Sequence, residues 1–416
     1  MELNLSNYNP LTPLRTRPRY WVPVEAFRVE APDGPIGGVR LQMVTLVGNG
    51  WHPWLFREEA KSLMGEIETI HSRIVSIQLS ENTLSRLSRA ALIDDVLENS
   101  ETHVIGEGTT SADIAEAISA WAENFLEPGT FAVRSRSIGI GIEGISTKEI
   151  EMDVGNRISS EINKVDLADP KVEISVVIAG QTEGEAHPDP LGDSPSVVVW
   201  GVRNSDWERE KYSGRSPTER PFFKPVSLEP RQARLLISIG HRPDCEVKHV
   251  VDPFCGTGGI VIEAALQGMG VLASDLDSRM VEGTRENLDW VNGGYRAEIC
   301  NASEIDTLWG PTDGCLFAFD PPYGRSSWKS EDGLNLFLSA ISSARRVDPS
   351  GAISTMLPTG PEVLSQGLGE DFTVMGVKWS QLEELIAQRG WKVVLKSPIK
   401  VHRSLARMVI VCHPAD

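Results

Sequence analysis

Two short segments in the C-terminal half contain residue types suited to chemistry on an exocyclic amine. The first reads Asp252-Pro-Phe-Cys-Gly-Thr-Gly-Gly259 and the second reads Asp320-Pro-Pro-Tyr323. Glycines let a ligand press against the backbone, because no side chain blocks its approach. Two consecutive prolines remove two N–H donors, so the second segment presents a carboxylate and carbonyl oxygens as acceptors. Such acceptors suit an NH2 group, whose lone pair must turn toward an electrophile before it can be alkylated.

The first segment follows a strand-like run at residues 247–251 and precedes a helical pattern at residues 259–266. Its glycines are therefore predicted to lie in a strand-to-helix turn. A second strand-like run, residues 270–274, ends at Asp275, where a carboxylate can accept hydrogen bonds from ribose hydroxyls. The chain lacks the phosphate-loop lysine and the G-x-G-x-x-G spacing here, which favours an adenosine without a pyrophosphate.

The second segment follows an apolar run at residues 315–319, so it begins where a strand is predicted to end. Open α/β sheets bind ligands at that edge. We predict that Asp320 accepts a hydrogen of the amine and orients its nitrogen, and that the Pro321 carbonyl assists. Tyr323 is expected to stack on the base that carries the amine.

These motifs resemble those of the class I S-adenosylmethionine-dependent methyltransferases that methylate amino groups. The resemblance implies S-adenosylmethionine as the cofactor and a Rossmann-like, mostly parallel sheet with a terminal antiparallel strand. Residues 391–395 and 407–412 fit that terminal pair. It also implies an adenine contact at Asn301, where the family commonly has Asp; an Asn carbonyl can still accept that bond. The implied catalytic residues are Asp320, Pro321, Pro322 and Tyr323, and the implied cofactor-binding residues are Asp252, Pro253, Cys255, Gly256, Gly258, Asp275, Leu276, Asn301 and Ala302.

The N-terminal half indicates the substrate. Residues 131–177 read as strand, helix, turn and strand, with the helix predicted at residues 147–163. The turn Lys164-Val-Asp-Leu-Ala-Asp-Pro170 resembles that of the THUMP module, an RNA-binding unit of tRNA-modifying enzymes. The segment from Arg220 to Arg234 resembles the one that leads into the catalytic domain of archaeal tRNA guanine-N2 methyltransferases. This resemblance, which begins near Leu41, implies methylation of guanine N2 in tRNA, at position ten, with one or two methyl groups.

The sequence predicts an α/β methyltransferase domain preceded by an α+β, THUMP-containing RNA-binding half. Within the first half we expect helices at residues 58–67 and 84–98 and an exposed acidic loop at residues 180–194. The predicted segments are an N-terminal extension at 1–38, a small ferredoxin-like α+β domain at 39–110, the THUMP domain at 111–190, a linker at 191–226 and the methyltransferase domain at 227–416.

The net charge of -18 opposes nucleic-acid binding, because RNA-binding proteins usually present a basic surface. A local basic patch must therefore meet the RNA. The predicted contacts are Arg134, Arg136, Lys164, Arg220, Lys224 and Arg325, and the wider set of candidates includes Lys148, Arg157, Arg215, His402, Arg403 and Arg407.

Five cysteines without C-x-x-C spacing predict neither a zinc site nor a disulfide framework, and we expect no metal. The sequence has no apolar run long enough to cross a membrane and no signal-peptide pattern, so we predict a cytoplasmic location. Three alternatives remain open at this point. They are the same chemistry at another tRNA position or in ribosomal RNA, methylation of adenine N6 in DNA, and a non-catalytic RNA-binding protein.

Overall fold

A computed structural model describes residues 43–78, 85–182, 187–205, 207, 212–225, 227–322, 331–366, 371–403 and 405–415. The predicted extension at 1–38, the stacking residue Tyr323 and the RNA contact Arg325 lie outside these residues. Two β-sheets organise the described part, one in each half of the chain. None of its helices is long and apolar enough to span a lipid bilayer.

Eight strands form the N-terminal sheet in the order β2-β3-β1-β4-β8-β7-β5-β6. The predicted small α+β unit and the THUMP unit share this sheet, because β4 pairs with β8. Strand β8 comes from the segment predicted as a linker. The strands are β1 Met43–Gly48, β2 Glu68–His71, β3 Ile74–Gln78, β4 Ile93–Val104, β5 Gly129–Ile138, β6 Asn163–Val165, β7 Val172–Ala179 and β8 Val197–Arg203, and the helices are α1 Pro53–Met64, α2 Ser111–Phe125 and α3 Thr147–Ile158.

Helix α2 illustrates how local sequence produces this half. Thr110 and Asp113 form a capping box that satisfies the first backbone N–H groups of the helix. Ile114, Ile118 and Trp121 then recur at helical spacing and are buried in one core with residues from β5, β7 and β8. Fully burying an apolar side chain of this size contributes about 1.5–3 kcal/mol, so this face fixes the helix on the sheet.

Two expectations for the helices of this half were wrong. The helix predicted at residues 84–98 is replaced from Ile93 onward by β4, which pairs with β1 on one side and β8 on the other. Strands β1 and β8 supply backbone partners to successive parts of β4, and this pairing overrides the helix-like spacing of the apolar residues. The helix predicted at 147–163 ends at Ile158. The segment predicted as an exposed loop at residues 180–194 is exposed at residues 190–193, whereas His187 within it is only 5% exposed, and residues 183–186 lie outside the described residues.

The C-terminal sheet has the order β11-β10-β9-β12-β13, with β17 on the far side of β13 and β16 beyond it. The first five strands are parallel and β16 and β17 are antiparallel, which confirms the predicted terminal pair. The strands are β9 His249–Asp252, β10 Gly270–Asp275, β11 Tyr295–Ile299, β12 Cys315–Phe319, β13 Ala352–Thr359, β14 Thr373–Val374, β15 Val377–Lys378, β16 Trp391–His402 and β17 Leu405–Pro414, and the helices are α4 Pro230–Ile239, α5 Gly259–Leu266, α6 Ser278–Trp290, α7 Ile305–Trp309, α8 Glu331–Val347, α9 Val363–Gln366 and α10 Trp379–Ala387.

This strand order has a switch point between β9 and β12, where the chain direction across the sheet reverses. In open α/β sheets a crevice forms there, outside the carboxyl ends of the strands. Both chemistry-bearing segments lie at this edge, because Asp252 ends β9 and Asp320 follows β12.

The two halves meet through buried polar contacts. In α1, Glu59 accepts hydrogen bonds from the backbone N–H groups of Ala91 and Leu92, and Ser238 of α4 donates its hydroxyl to the same carboxylate. His52, at the start of α1, donates from Nε2 to the Pro398 carbonyl of β16 at 3.1 Å. The N-terminal half is therefore held against both a helix and a strand of the catalytic half.

Candidate active site

The glycine-rich turn is fixed by backbone contacts with the neighbouring strand. The Cys255 N–H donates to the Ser274 carbonyl at 3.0 Å, and the Gly256 N–H donates to Asp275 Oδ2 at 3.0 Å. Thr284 of α6 donates its hydroxyl to the Gly256 carbonyl at 2.9 Å. These bonds hold the turn open at the carboxyl edge of β9 and β10.

Gly258 needs to be glycine for two reasons. Its φ is +79°, in the left-handed region that residues with a Cβ rarely adopt, and it caps the N-terminus of α5. A Cβ at this position would lie 3.2 Å from the Thr284 side chain. The turn therefore depends on the glycine pattern that the sequence predicted.

Asp275 ends β10, and Asn301 follows the end of the neighbouring β11 beside the turn. Besides its bond with Gly256, Asp275 accepts the Asp277 N–H through Oδ1 at 2.9 Å. Asn301 Oδ1 accepts the Ser303 N–H at 3.1 Å, which caps the short helical turn that contains the buried Ala302. Leu276 is 73% exposed and presents an apolar face next to the Asp275 carboxylate.

Asp252 lies at the base of the site. It is buried, and its Oδ1 accepts the Phe254 N–H at 3.0 Å. Burial raises the pKa of Asp252 well above its usual range, and the negative charges of Asp275 and Asp320 raise it further. A cation that enters beside these three carboxylates would relieve that repulsion.

Cys255 does not have the surroundings of a nucleophile. Burial raises the pKa of its thiol well above the usual value, and the charge of Asp252 adds to this effect. A protonated, buried thiol is unreactive, which agrees with the structural role expected from the sequence. All five cysteines are free.

Asp320 leaves the carboxyl end of β12 and points toward β17. Its Oδ2 lies 2.9 Å from Nη1 of Arg407, and the two side chains are 16% and 15% exposed. Pro321 is buried and Pro322 is exposed. The acceptor segment is therefore anchored through its carboxylate and through the packing of its first proline.

One cavity of about 830 Å³ brings the two segments together. It is lined by Asp252, the glycine turn, Asp275 and Asn301 on one side and by Asp320, Pro321 and Pro322 on another. All of the predicted cofactor-binding residues except Gly258 line this cavity, as do the described catalytic residues. Phe254, Thr257 and Gly259 of the glycine-rich segment also line it. Further lining residues, which the sequence did not single out for this site, are Ser227, Leu228, Ile260, Met280, Leu336, Pro358 and Leu405.

A strap formed by residues 220–225 and 227–228 provides one wall of the cavity, and sequence reasoning missed its anchor. Asn287 of α6 donates to the carbonyls of Phe222 and Thr257 at 2.7 and 2.8 Å and accepts the Phe222 N–H at 2.9 Å. Ser227 and Thr257 share a hydroxyl hydrogen bond of 2.8 Å. A buried asparagine in an amphipathic helix was the available signal, since a buried amide requires partners.

The predicted RNA contacts fall into two groups. Arg134, Lys164 and Lys224 are exposed, as are Lys148, Arg157, His402 and Arg403 from the wider set. Arg136 instead pairs with the buried carboxylate of Asp95 at 2.6 Å. Arg220 is 4% exposed and donates to the backbone carbonyls of Arg215 and Leu228.

The arginines of this second group bind carboxylates and backbone carbonyls of the protein itself. Arg215 of the wider set binds the buried Glu263 through Nε and Nη2 at 2.7 and 3.2 Å. We therefore propose structural roles for Arg215 and Arg220 in place of RNA contacts. Among the described residues, no group of three or more His, Cys, Asp or Glu side chains could hold a metal ion.

Two family models match this chain. A model described as an RMKL-like methyltransferase domain matches residues 217–387, and a model described as a THUMP domain matches residues 109–182. The fold is accordingly a THUMP-containing N-terminal half followed by a class I methyltransferase domain. Among solved structures, that of TrmN from Thermus thermophilus covers 89% of this chain and 99% of its own, with 20% identity and a TM-score of 0.46.

Curated relatives extend over most of both halves. A tRNA (guanine(10)-N2)-dimethyltransferase of Methanothermobacter thermautotrophicus is 30% identical over 72% of this chain and 76% of its own length. A protein of the same name from Pyrococcus abyssi is 27% identical over 73% of this chain and 80% of its own length. The chain belongs to the family of the archaeal tRNA (guanine(10)-N2)-dimethyltransferases.

Proposed function

We propose that this protein transfers methyl groups from S-adenosylmethionine to the exocyclic N2 of guanosine 10 in tRNA. The proposal rests on one observation above all, which is that a single cavity joins the glycine turn to the Asp320-Pro-Pro segment. The names of the relatives supply the nucleotide position, and the matched THUMP domain favours tRNA as the substrate. The cytoplasmic location expected from the sequence stays a prediction.

The residues around the cavity fit S-adenosylmethionine. The volume of about 830 Å³ lies within the range of small-molecule sites, about 300–1,000 Å³. Asp275 would accept hydrogen bonds from the ribose hydroxyls, Leu276 would pack on the adenine, and Asn301 would face its amino group. The cofactor carries a positive sulfonium, so the carboxylates of the cavity match its charge. When bound, it would supply an electrophilic methyl group, with the S–CH3 bond broken, S-adenosylhomocysteine as the leaving group and one proton of the amine released to solvent.

Asp320 is assigned the main role in orienting the acceptor. Its carboxylate and the Pro321 carbonyl would accept the hydrogens of the guanine amino group and so turn the nitrogen lone pair toward the methyl group. Positive charge develops on this nitrogen as the new bond forms, and a neighbouring carboxylate stabilises it. A guanine inside a helical stem must leave its stack to reach this cavity.

We assign tRNA binding to the N-terminal half. Arg134 and Lys164 are exposed on its sheet, and Lys224 is exposed on the strap at the cavity itself. Contacts with phosphates would hold the tRNA in one register, while the cavity selects the base. Because the net charge is -18, we expect binding to depend on these few local cations and to weaken with added salt.

Incubation of the purified full-length chain with labelled S-adenosylmethionine and unmodified tRNA transcripts tests the proposal. Mass spectrometry of the digested RNA should find N2-methylguanosine and N2,N2-dimethylguanosine. A transcript with adenosine in place of guanosine 10 should accept no label, whereas label in that transcript would move the site elsewhere. Label in ribosomal RNA or DNA but not in tRNA would overturn the assignment of the substrate.

The variant Asp320→Asn tests the mechanism. It keeps the shape of the side chain but removes its charge and one acceptor oxygen, so kcat should fall about 100-fold to 1,000-fold. Binding of S-adenosylmethionine, measured by calorimetry, should stay close to that of the wild type. Full activity of this variant would contradict the role assigned to Asp320.

A further inference from the structure

Arg407 lies at the active site although no sequence motif marks it. It belongs to β17, where it pairs in register with Pro358 of β13 on one side and Ile399 of β16 on the other. Its Nη1 lies 2.9 Å from Asp320 Oδ2, and both side chains line the cavity. The ion pair thus joins the last strand of the sheet to the carboxylate assigned to the acceptor amine.

The backbone of Arg407 has little freedom to move. Its neighbours Ala406 and Met408 are fully buried in the core of the catalytic domain. Strand β17 is paired along both edges, with β13 and with β16. The guanidinium therefore extends from a backbone that is held in place. A charge-assisted hydrogen bond to this guanidinium restricts rotation of the Asp320 carboxylate.

The positive charge of Arg407 also affects whether Asp320 is protonated. Asp252 and Asp275 face the same cavity from β9 and β10, so Asp320 is one of three neighbouring carboxylates. Like charges in close proximity favour protonation of one member, whereas a cation in contact favours the ionised form. A protonated Asp320 would lose an acceptor lone pair and its ability to stabilise positive charge on the amine.

We infer that Arg407 is a positioning residue for methyl transfer, which holds the Asp320 carboxylate ionised and correctly oriented toward the acceptor amine. The inference rests on the proposed function and deepens it. Arg407 then acts through Asp320 and not through RNA phosphates, although the sequence had placed it among the candidates for RNA contacts. The two roles predict different kinetics.

Substitution of Arg407 by Gln separates these roles. A positioning residue predicts a fall in kcat of about 10-fold to 100-fold with little change in KM for tRNA. It also predicts that the acid limb of the kcat pH profile moves to higher pH, because the essential carboxylate loses its cation. Among the described residues that line the cavity, the other charged or titratable groups are Asp252, Cys255, Asp275, Lys224 and His402, and they stay in place.

A double-mutant cycle provides the sharpest test. In an Asp320→Asn background, Arg407→Gln should cost less than about 3-fold in kcat, because its effect passes through the lost carboxylate. Arg407→Lys should recover part of the activity of Arg407→Gln and restore the acid limb toward the wild-type position. Lys392→Gln removes a charge at the far end of the same hairpin and serves as the matched control.

The outcomes are distinguishable. If the wild-type chain makes no N2-methylguanosine, the proposed function itself is wrong. An active wild type combined with an Arg407→Gln variant of unchanged kcat overturns the inference alone. A raised KM for tRNA with an unchanged acid limb also overturns it and assigns Arg407 to RNA binding. Calorimetry with S-adenosylmethionine checks that each variant retains a folded cofactor site.

Discussion

Replacing His52 by glutamine should make the stability of the protein less dependent on pH. His52 is fully buried at the junction of the two halves, where its ring stacks on His187 with 4.2 Å between ring centroids. Burial, with smaller contributions from the charges of His187 and Arg57, lowers the pKa of His52 to about 3, although the hydrogen bond to Pro398 acts in the opposite direction. The folded chain therefore keeps this imidazole neutral under conditions in which the unfolded chain protonates it.

The sign and the size follow from proton linkage. A histidine whose folded pKa is lowered contributes stability that is fully present above the unfolded pKa of about 6.5 and is lost as the pH falls below it. Between about pH 7.5 and about pH 5.5, one such residue removes about 1.4 kcal/mol from the free energy of unfolding. This free-energy difference does not depend on the exact pKa of His52 in the folded chain, as long as that pKa stays well below this pH range. The pH range also lies above the sequence pI of about 5.0.

Urea titrations of the wild type and of His52→Gln at both ends of this window measure the effect. The loss of stability on acidification should be about 1.4 kcal/mol smaller in the variant. Asp252 contributes to the pH dependence with the opposite sign, but it is present in both proteins and cancels in the difference. Ser397→Ala removes a non-titrating neighbour of the same ring, so it should change the free energy of unfolding by the same amount at both pH values. Equal pH dependence in wild type and His52→Gln would refute the reasoning.

Two further substitutions test the packing around the site and the junction. Gly283→Ala would place a Cβ 2.1 Å from the Phe222 ring and displace the strap, so the affinity for S-adenosylmethionine in calorimetry should fall at least about 10-fold; an unchanged Kd would show that the strap does not shape the site. Glu59→Ala leaves the buried N–H groups of Ala91 and Leu92 without their acceptor and should cost about 3 kcal/mol in urea unfolding, with a smaller loss for Glu59→Gln. Equal stability of the alanine variant and the wild type would argue against that contact.

Short-range features of the fold were predictable from the sequence. Helix α5 and strand β12 have the predicted bounds, because glycine precedes the first and Asp320 follows the second. The edge on which the site lies also followed from the sequence, since it depends only on where parallel strands end. The prediction of secondary structure failed at β4, because pairing with two distant strands determines the conformation there and the local spacing of apolar residues does not.

Contacts between distant residues were the part that sequence reasoning missed. Asp320 and Arg407 meet because β17 returns to the sheet beside β13, and no local pattern predicts which side chain then faces the cavity. Asn287 anchors the strap from a helix 65 residues away in sequence from Phe222. The acceptor motif was therefore predictable as a set of chemical groups, whereas the residues that orient it depend on tertiary packing.

The strand β16 links these observations, because it is contacted from both halves of the protein. On one side His187 accepts the Lys400 N–H at 3.0 Å. On the other side Ile399, the neighbour of Lys400, pairs with Arg407 of β17. Arg407 in turn holds Asp320, so the half assigned to tRNA and the carboxylate assigned to the amine are joined by a short series of backbone and side-chain contacts. Paired strands deform little, so we expect these contacts to keep a constant distance between the tRNA bound by the N-terminal half and the base at the cavity.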